Sequence, residues 1–151
     1  MKYPLLAIGL TILIAAGIAG NAVADDCPPK FGLAGLLSNK NKETLPEIVL
    51  GSGLDLSATP LTLRSGGYYV LPIKSDGSAE LGLEGPGFFR AVWMDEVVIN
   101  DLEVRPFGME SVEFDDAGVI ELKFVAVKPG RYELRIPGSR GESQRVPITI
   151  Q

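Results

Sequence analysis

From Leu61 onward the apolar residues recur at every second position, in short runs cut by glycine and proline. Tyr68, Val70 and Pro72 alternate with Tyr69, Leu71 and Ile73, and Leu102 and Val104 alternate with Glu103 and Arg105. Val112 and Phe114 flank Glu113, while Ile120, Leu122 and Phe124 alternate with Glu121, Lys123 and Val125. Nearer the C-terminus Tyr132, Leu134 and Ile136 interleave with Arg131, Glu133 and Arg135, and Val146, Ile148 and Ile150 share one face. Successive side chains of a strand point to opposite faces, so this period buries one face of a sheet and wets the other. No stretch reads as a long amphipathic helix. The pattern predicts an all-β fold, an antiparallel Greek-key β-sandwich over residues 61–151.

The breaks between runs set the expected connections. Lys74-Ser75-Asp76-Gly77-Ser78 offers an Asp-Gly hairpin turn, with Ala79 to Leu83 as the returning strand. Gly85-Pro86-Gly87 interrupts the chain before the apolar run Phe88 to Ile99, in which Asp95-Glu96 reads as a solvated bend. A strand or short helix is expected up to Met94 and a strand from Val97. Asp115-Asp116-Ala117-Gly118 reads as a hairpin turn rather than a calcium loop. Phe88, Phe89 and Trp93 are expected in the core, the alternative being a partner-docking patch.

The N-terminal part follows different rules. Met1-Lys2-Tyr3, an uncharged apolar run from Leu5 to Gly20, and Asn21-Ala22-Val23-Ala24 have the three-part form of a signal peptide over residues 1–24, with cleavage after Ala24. An uncleaved membrane anchor is the alternative, since the run is only slightly shorter than a spanning helix requires. Residues 25–60 mix prolines and glycines with the polar patch Ser38-Asn39-Lys40-Asn41-Lys42, which predicts a flexible lead-in with at most a helical turn near Phe31 to Leu37. The protein is therefore expected in the periplasm or secreted.

Composition removes several classes of chemistry. The formal net charge of −5 argues against a nucleic-acid partner, which calls for a clustered basic face. Acidic residues crowd the segment from Asp76 to Glu121, while Lys128 to Arg145 is richer in bases. A single cysteine, Cys27, excludes an internal disulfide. The absence of histidine removes the commonest general base and the usual zinc ligand, together with every Ser-His or Cys-His dyad. No remaining constellation supports an enzyme, so no catalytic residue is assigned.

One stretch resembles a known family. Cupredoxins carry a first histidine in a strand often written Pro-His-Asn-Leu-Glu-Val, then Pro-Gly-x-Tyr-x-Phe leading to Cys-x-Gly-His and a methionine. Ile99-Asn100-Asp101-Leu102-Glu103-Val104 is similar to the first strand, with Asn100 at the histidine position. Pro129-Gly130-Arg131-Tyr132-Glu133-Leu134 is similar to the lead-in of the second cluster, which places Ile136 at the cysteine and Ser139 at the second histidine. No methionine follows Gly138. The resemblance implies a cupredoxin-like sandwich, and the substituted positions imply that its blue-copper site is missing, since that site needs a thiolate and two imidazoles.

An exported domain with this little chemistry is expected to act as a binding or accessory module for an exported or membrane-bound protein. The loops around Asn100, Pro106-Phe107-Gly108 and Pro137 to Gly141 are expected to form its contact end. Arg135 and Arg140 are the candidate partner-binding residues, because a planar guanidinium makes paired hydrogen bonds and stacks on aromatics. No cofactor is expected. The alternative is a copper-binding or electron-transfer-related protein with copper at a non-standard site built from Met94, Met109, Cys27 or carboxylates.

Overall fold

The computed structural model describes residues 35–53, 56 and 59–151. The segment read as a signal peptide, Cys27 and most of the expected helical turn lie outside them. Among the described residues no helix is long and apolar enough to cross a membrane.

The period-two runs form strands, and the strands form two packed sheets. In chain order they are β1 (Lys42–Thr44), β2 (Ile48–Leu50), β3 (Leu61–Leu63), β4 (Tyr68–Ser75), β5 (Leu81–Glu84), β6 (Val92–Ile99), β7 (Leu102–Val104), β8 (Ser111–Phe114), β9 (Gly118–Ala126), β10 (Gly130–Arg135) and β11 (Arg145–Ile150). One sheet runs β1-β4-β9-β6-β7, with β2 also paired to β4, and the other runs β3-β11-β10-β5-β8. The chain changes sheet at most connections, which gives the sandwich its Greek-key character. The inward residues meet in one core: Leu71, Ile73, Leu122 and Phe124 from the first sheet face Leu63, Leu83, Leu134 and Ile148 from the second. A four-residue helix, α1 (Pro86–Phe89), closes one end with two phenylalanines. Phe88 meets Phe124 edge to face at 5.3 Å between ring centroids, a favoured aromatic geometry.

The arrangement departs from the sequence expectation in three places. First, the sheets are mixed rather than purely antiparallel, because β1 and β2 each pair parallel with β4, and β3 pairs parallel with β11. The parallel strands all come from residues 42–63, and the segment expected to be a flexible lead-in contributes fully buried Ile48 and Leu50 to the core. Second, Gly77 does take a positive φ of 75°, as an Asp-Gly turn requires, but β5 does not return beside β4. It crosses to the second sheet and pairs with β8 and β10. The Asp115–Ala117 bend likewise carries the chain from β8 in one sheet to β9 in the other, so it is a crossover and not a hairpin. These two crossovers pack on each other, and a Cβ added at Gly77 would lie 2.8 Å from the Ala117 nitrogen.

Third, β6 runs unbroken from Val92 to Ile99 through Asp95-Glu96. Met94 pairs with Phe124 and Glu96 with Lys123, which leaves Asp95 as the extra residue of a β-bulge. The two acids are therefore not a solvated bend: Glu96 is buried. Phe88 and Phe89 belong to the core as expected, whereas Trp93 is half-exposed on the sheet.

If β2 is integral to the fold, Leu50→Ala should destabilise the protein by about 3 kcal/mol, the usual cost of emptying a fully buried leucine site. Urea unfolding of the two proteins measures this. A cost near zero would return residues 48–50 to the status of a linker.

Candidate functional site

Two edge strands, β7 in the first sheet and β8 in the second, border the same open side of the sandwich. Between them lies a groove of about 490 Å³ lined by Val97, Ile99, Val104, Met109, Val112 and Ile120, with Glu110 and Glu113 at its margin. The period-two rule points Leu102 and Val104 inward, opposite Ile99 and Val97. The second sheet does not extend far enough to cover them: Ile99 is 40% exposed, Val104 41% and Leu102 62%. Inward-facing apolar side chains left this accessible form a contiguous patch, unlike the single apolar residues scattered over most surfaces.

The connection between β7 and β8 is a strap tied at both ends. At its start Arg105 donates to Asp95 at 3.3 Å and to Glu96 at 3.0 Å, so the strap is fastened to the bulge of β6. At its end the Glu110 carbonyl accepts from the Gly85 N–H at 3.0 Å, and the Glu110 carboxylate pairs with Arg90. Between these anchors Pro106-Phe107-Gly108 holds the Phe107 ring fully in solvent.

The bulge is itself an electrostatic cluster. Glu96 accepts from Lys123 at 2.7 Å as well as from Arg105, and Asp95 accepts from the Tyr68 hydroxyl at 2.9 Å. The hydrogen bond to Glu96 holds the Lys123 ammonium above the usual lysine range. Burial, and then the hydrogen bond to Asp95, push the Tyr68 hydroxyl well above the usual tyrosine range. Each acid has a matched donor, so the cluster ties the strap to the bulge of β6.

The residues singled out in the sequence fall elsewhere. Asn100 and Asp101, with φ of 47° and 68°, form the tight turn between β6 and β7, so Asn100 stands in a turn and not in a strand. Ile136 follows β10 and packs against the core, and the Ser139 N–H donates to its carbonyl at 3.1 Å. Asn100 and the 137–141 segment share one pole, while Phe107 is carried on the strap toward β6 and α1. The three loops expected to form one contact end therefore do not converge. Arg135 is occupied internally: it donates to Glu133 at 2.8 Å and to the Ser139 carbonyl at 2.6 Å. Arg140 is exposed. Met109 lines the groove, whereas Met94 sits opposite Phe124 and does not.

No protein-family model and no curated protein sequence matches the chain. Among solved structures it is similar to a multicopper oxidase from Pseudomonas thermotolerans, with a TM-score of 0.55 and 16% identity over 74% of this chain and 30% of that one. A multicopper oxidase from Campylobacter jejuni gives a TM-score of 0.51 and 7% identity over 72% of this chain and 30% of that one. The chain has a cupredoxin-like fold. It spans about a third of the length of either oxidase. The residues of this cupredoxin-like domain do not fit a blue-copper centre, for the chain has no histidine and Ile136 brings no thiolate to the end of β10. Among the described residues no three of Cys, Asp or Glu converge as metal ligands.

Two measurements test these electrostatics. Lys123→Ala leaves Glu96 buried with Arg105 as its one remaining cation, so it should cost about 2–3 kcal/mol in urea unfolding; a cost below about 0.5 kcal/mol would show the pair to be no stronger than an exposed one. Glu133, hydrogen-bonded by Arg135 and Arg145, titrates below the ordinary glutamate value of 4.5. Its stabilisation is complete above that value and lost as pH falls through the lower folded one. Thermal midpoints of the wild type and Glu133→Gln should therefore differ near neutral pH and converge in acid. A constant difference across that range would contradict the assignment.

Proposed function

We propose that this cupredoxin-like domain is an exported accessory module that acts by protein association, without a blue-copper site and without catalysis of its own. The observation that carries the reading is the uncovered inward face of β7, with Ile99, Leu102 and Val104 open to solvent beside the groove and Phe107 standing beyond it. A contiguous apolar patch with an acidic margin has the make-up of a protein-docking surface. Export rests on the signal-peptide pattern of residues 1–24 and places the partner outside the cytoplasm or in a membrane. Arg140 belongs to a second possible contact at the 137–141 pole, supported by its exposure, while the internal bonds of Arg135 make that residue a support for the loop.

A photo-reactive amino acid placed at Phe107, or at Arg140, in protein expressed in the native host decides between the two surfaces. Crosslinked adducts are expected from Phe107. Adducts from Arg140 alone would move the interface to the pole, and adducts from neither would remove the association reading. Copper at a non-standard site is favoured by the groove position of Met109 alone. Incubation with Cu(I) and Cu(II), desalting and elemental analysis should leave less than one equivalent bound. Stoichiometric copper that is lost on Met109→Leu would establish the metal reading.

A further inference from the structure

The occupant of the open side can be specified by chemistry, on the basis of the association reading above. We propose that the β7 edge accepts an extended, basic-flanked segment of a partner protein as an additional strand of the first sheet, with alternate apolar side chains of that segment filling the groove.

Three features of the edge converge on this. The first is its backbone. In the two-residue hairpin joining β6 to β7, Ile99 faces Leu102 and Val97 faces Val104, while Val98 faces Glu103. A tight two-residue turn is closed by a pair that exchanges both hydrogen bonds, and hydrogen-bonded and non-bonded pairs then alternate. Glu103 therefore directs its N–H and C=O away from β6, toward an edge with no neighbouring strand among the described residues. Such an edge is the template that strand addition uses, here three residues long with the charged Glu103 at its centre.

The second feature is side-chain period. Leu102 and Val104 lie on the groove side and Glu103 on the other, so an added strand would have its alternate side chains directed into the groove, against Met109 and Val112. That demands an apolar residue at every second position of the partner segment.

The third is charge. Asp101 precedes β7, Glu113 lines the groove, and Asp115 and Asp116 follow β8, all exposed. The cations of this side are already engaged, Arg105 with Asp95, Glu96 and, at 3.5 Å, Glu103 itself, and Arg90 with Glu110, so among the described residues no cation is left to answer Asp101, Glu113, Asp115 and Asp116. The uncompensated field at the edge is negative, which favours a segment flanked by lysine or arginine. The same charges argue against a second copy of this chain. Antiparallel pairing of β7 with itself about its middle residue would set Glu103 against Glu103, and like charges directly opposite destabilise a sheet.

The test uses the whole chain and a short synthetic peptide of alternating valine and threonine with lysines at both ends, beside its counterpart with glutamates at the ends. The lysine-flanked peptide should bind, slow hydrogen exchange at the Glu103 amide, and lose affinity as salt rises. Glu103→Pro removes the outward N–H while sparing the β6 pairing, and should weaken binding by about tenfold or more. Glu113→Lys, an exposed change that leaves the edge backbone intact, should lower the preference for lysine ends over glutamate ends. Equal binding of the two peptides, or binding unaffected by both substitutions, would overturn the proposal. So would a dimer of the chain, seen by sedimentation and abolished by Glu103→Pro, which would identify a second copy as the occupant. If neither peptide binds while Phe107 still crosslinks in the host, strand addition fails and the association reading stands.

Discussion

A carboxylate buried against a sheet must be matched in charge and hydrogen bonding, and the matching of Glu96 shapes the open side of this domain. Lys123 reaches it from β9 and Arg105 from the start of the strap, so one acid fastens two strands and a loop together. The bulge at Asp95 makes this possible, because the extra residue lets two consecutive acids serve one polar cluster. Because Arg105 is held there, the strap leaves β7 in a fixed direction and Phe107 stands clear of the body of the protein. Burial of the inward faces holds the two sheets together, but it leaves the course of this loop undetermined.

The open side follows from unequal sheets. β7 and β8 have three and four residues, and each is the last strand of its own sheet. Neither reaches far enough to close the core beside the other, so residues patterned for an interior are left at a surface. Two solved structures that share the fold are multicopper oxidases at 16% and 7% identity, a likeness of architecture that carries no function with it. Ile136 packs against the core just after β10, and Asn100 lies exposed in the turn between β6 and β7.

Much of this was readable in the sequence, and the limits were physical. The period of β9, β10 and β11 gave strands and their inward faces directly, and Gly77 marked its turn by the conformation the position required. Periodicity shows which face is apolar but not which sheet a strand joins, so the two turns taken for hairpins proved to be crossovers. Strands of three residues, such as β1 and β2, are too short to display a period, and the prolines and glycines around them gave the stronger signal of a linker. Asp95-Glu96 misled for the opposite reason: two charges imply solvent unless the cations that bury them are known, and Lys123 and Arg105 become neighbours only through the fold. Phe107 was legible as an aromatic between proline and glycine, but the exposure of Leu102 and Val104 was not, since it depends on where the opposite sheet stops.

The parallel pairing of β3 with β11 joins Leu61 to Ile148, positions far apart along the chain. Contacts so distant along the chain form late, because the closure of a long loop has to precede any gain from the pairing. The second sheet lacks this inner strand until the final six-residue element has been made. The second sheet therefore cannot close stepwise: β3 and β10 have no common neighbour until β11 lies between them.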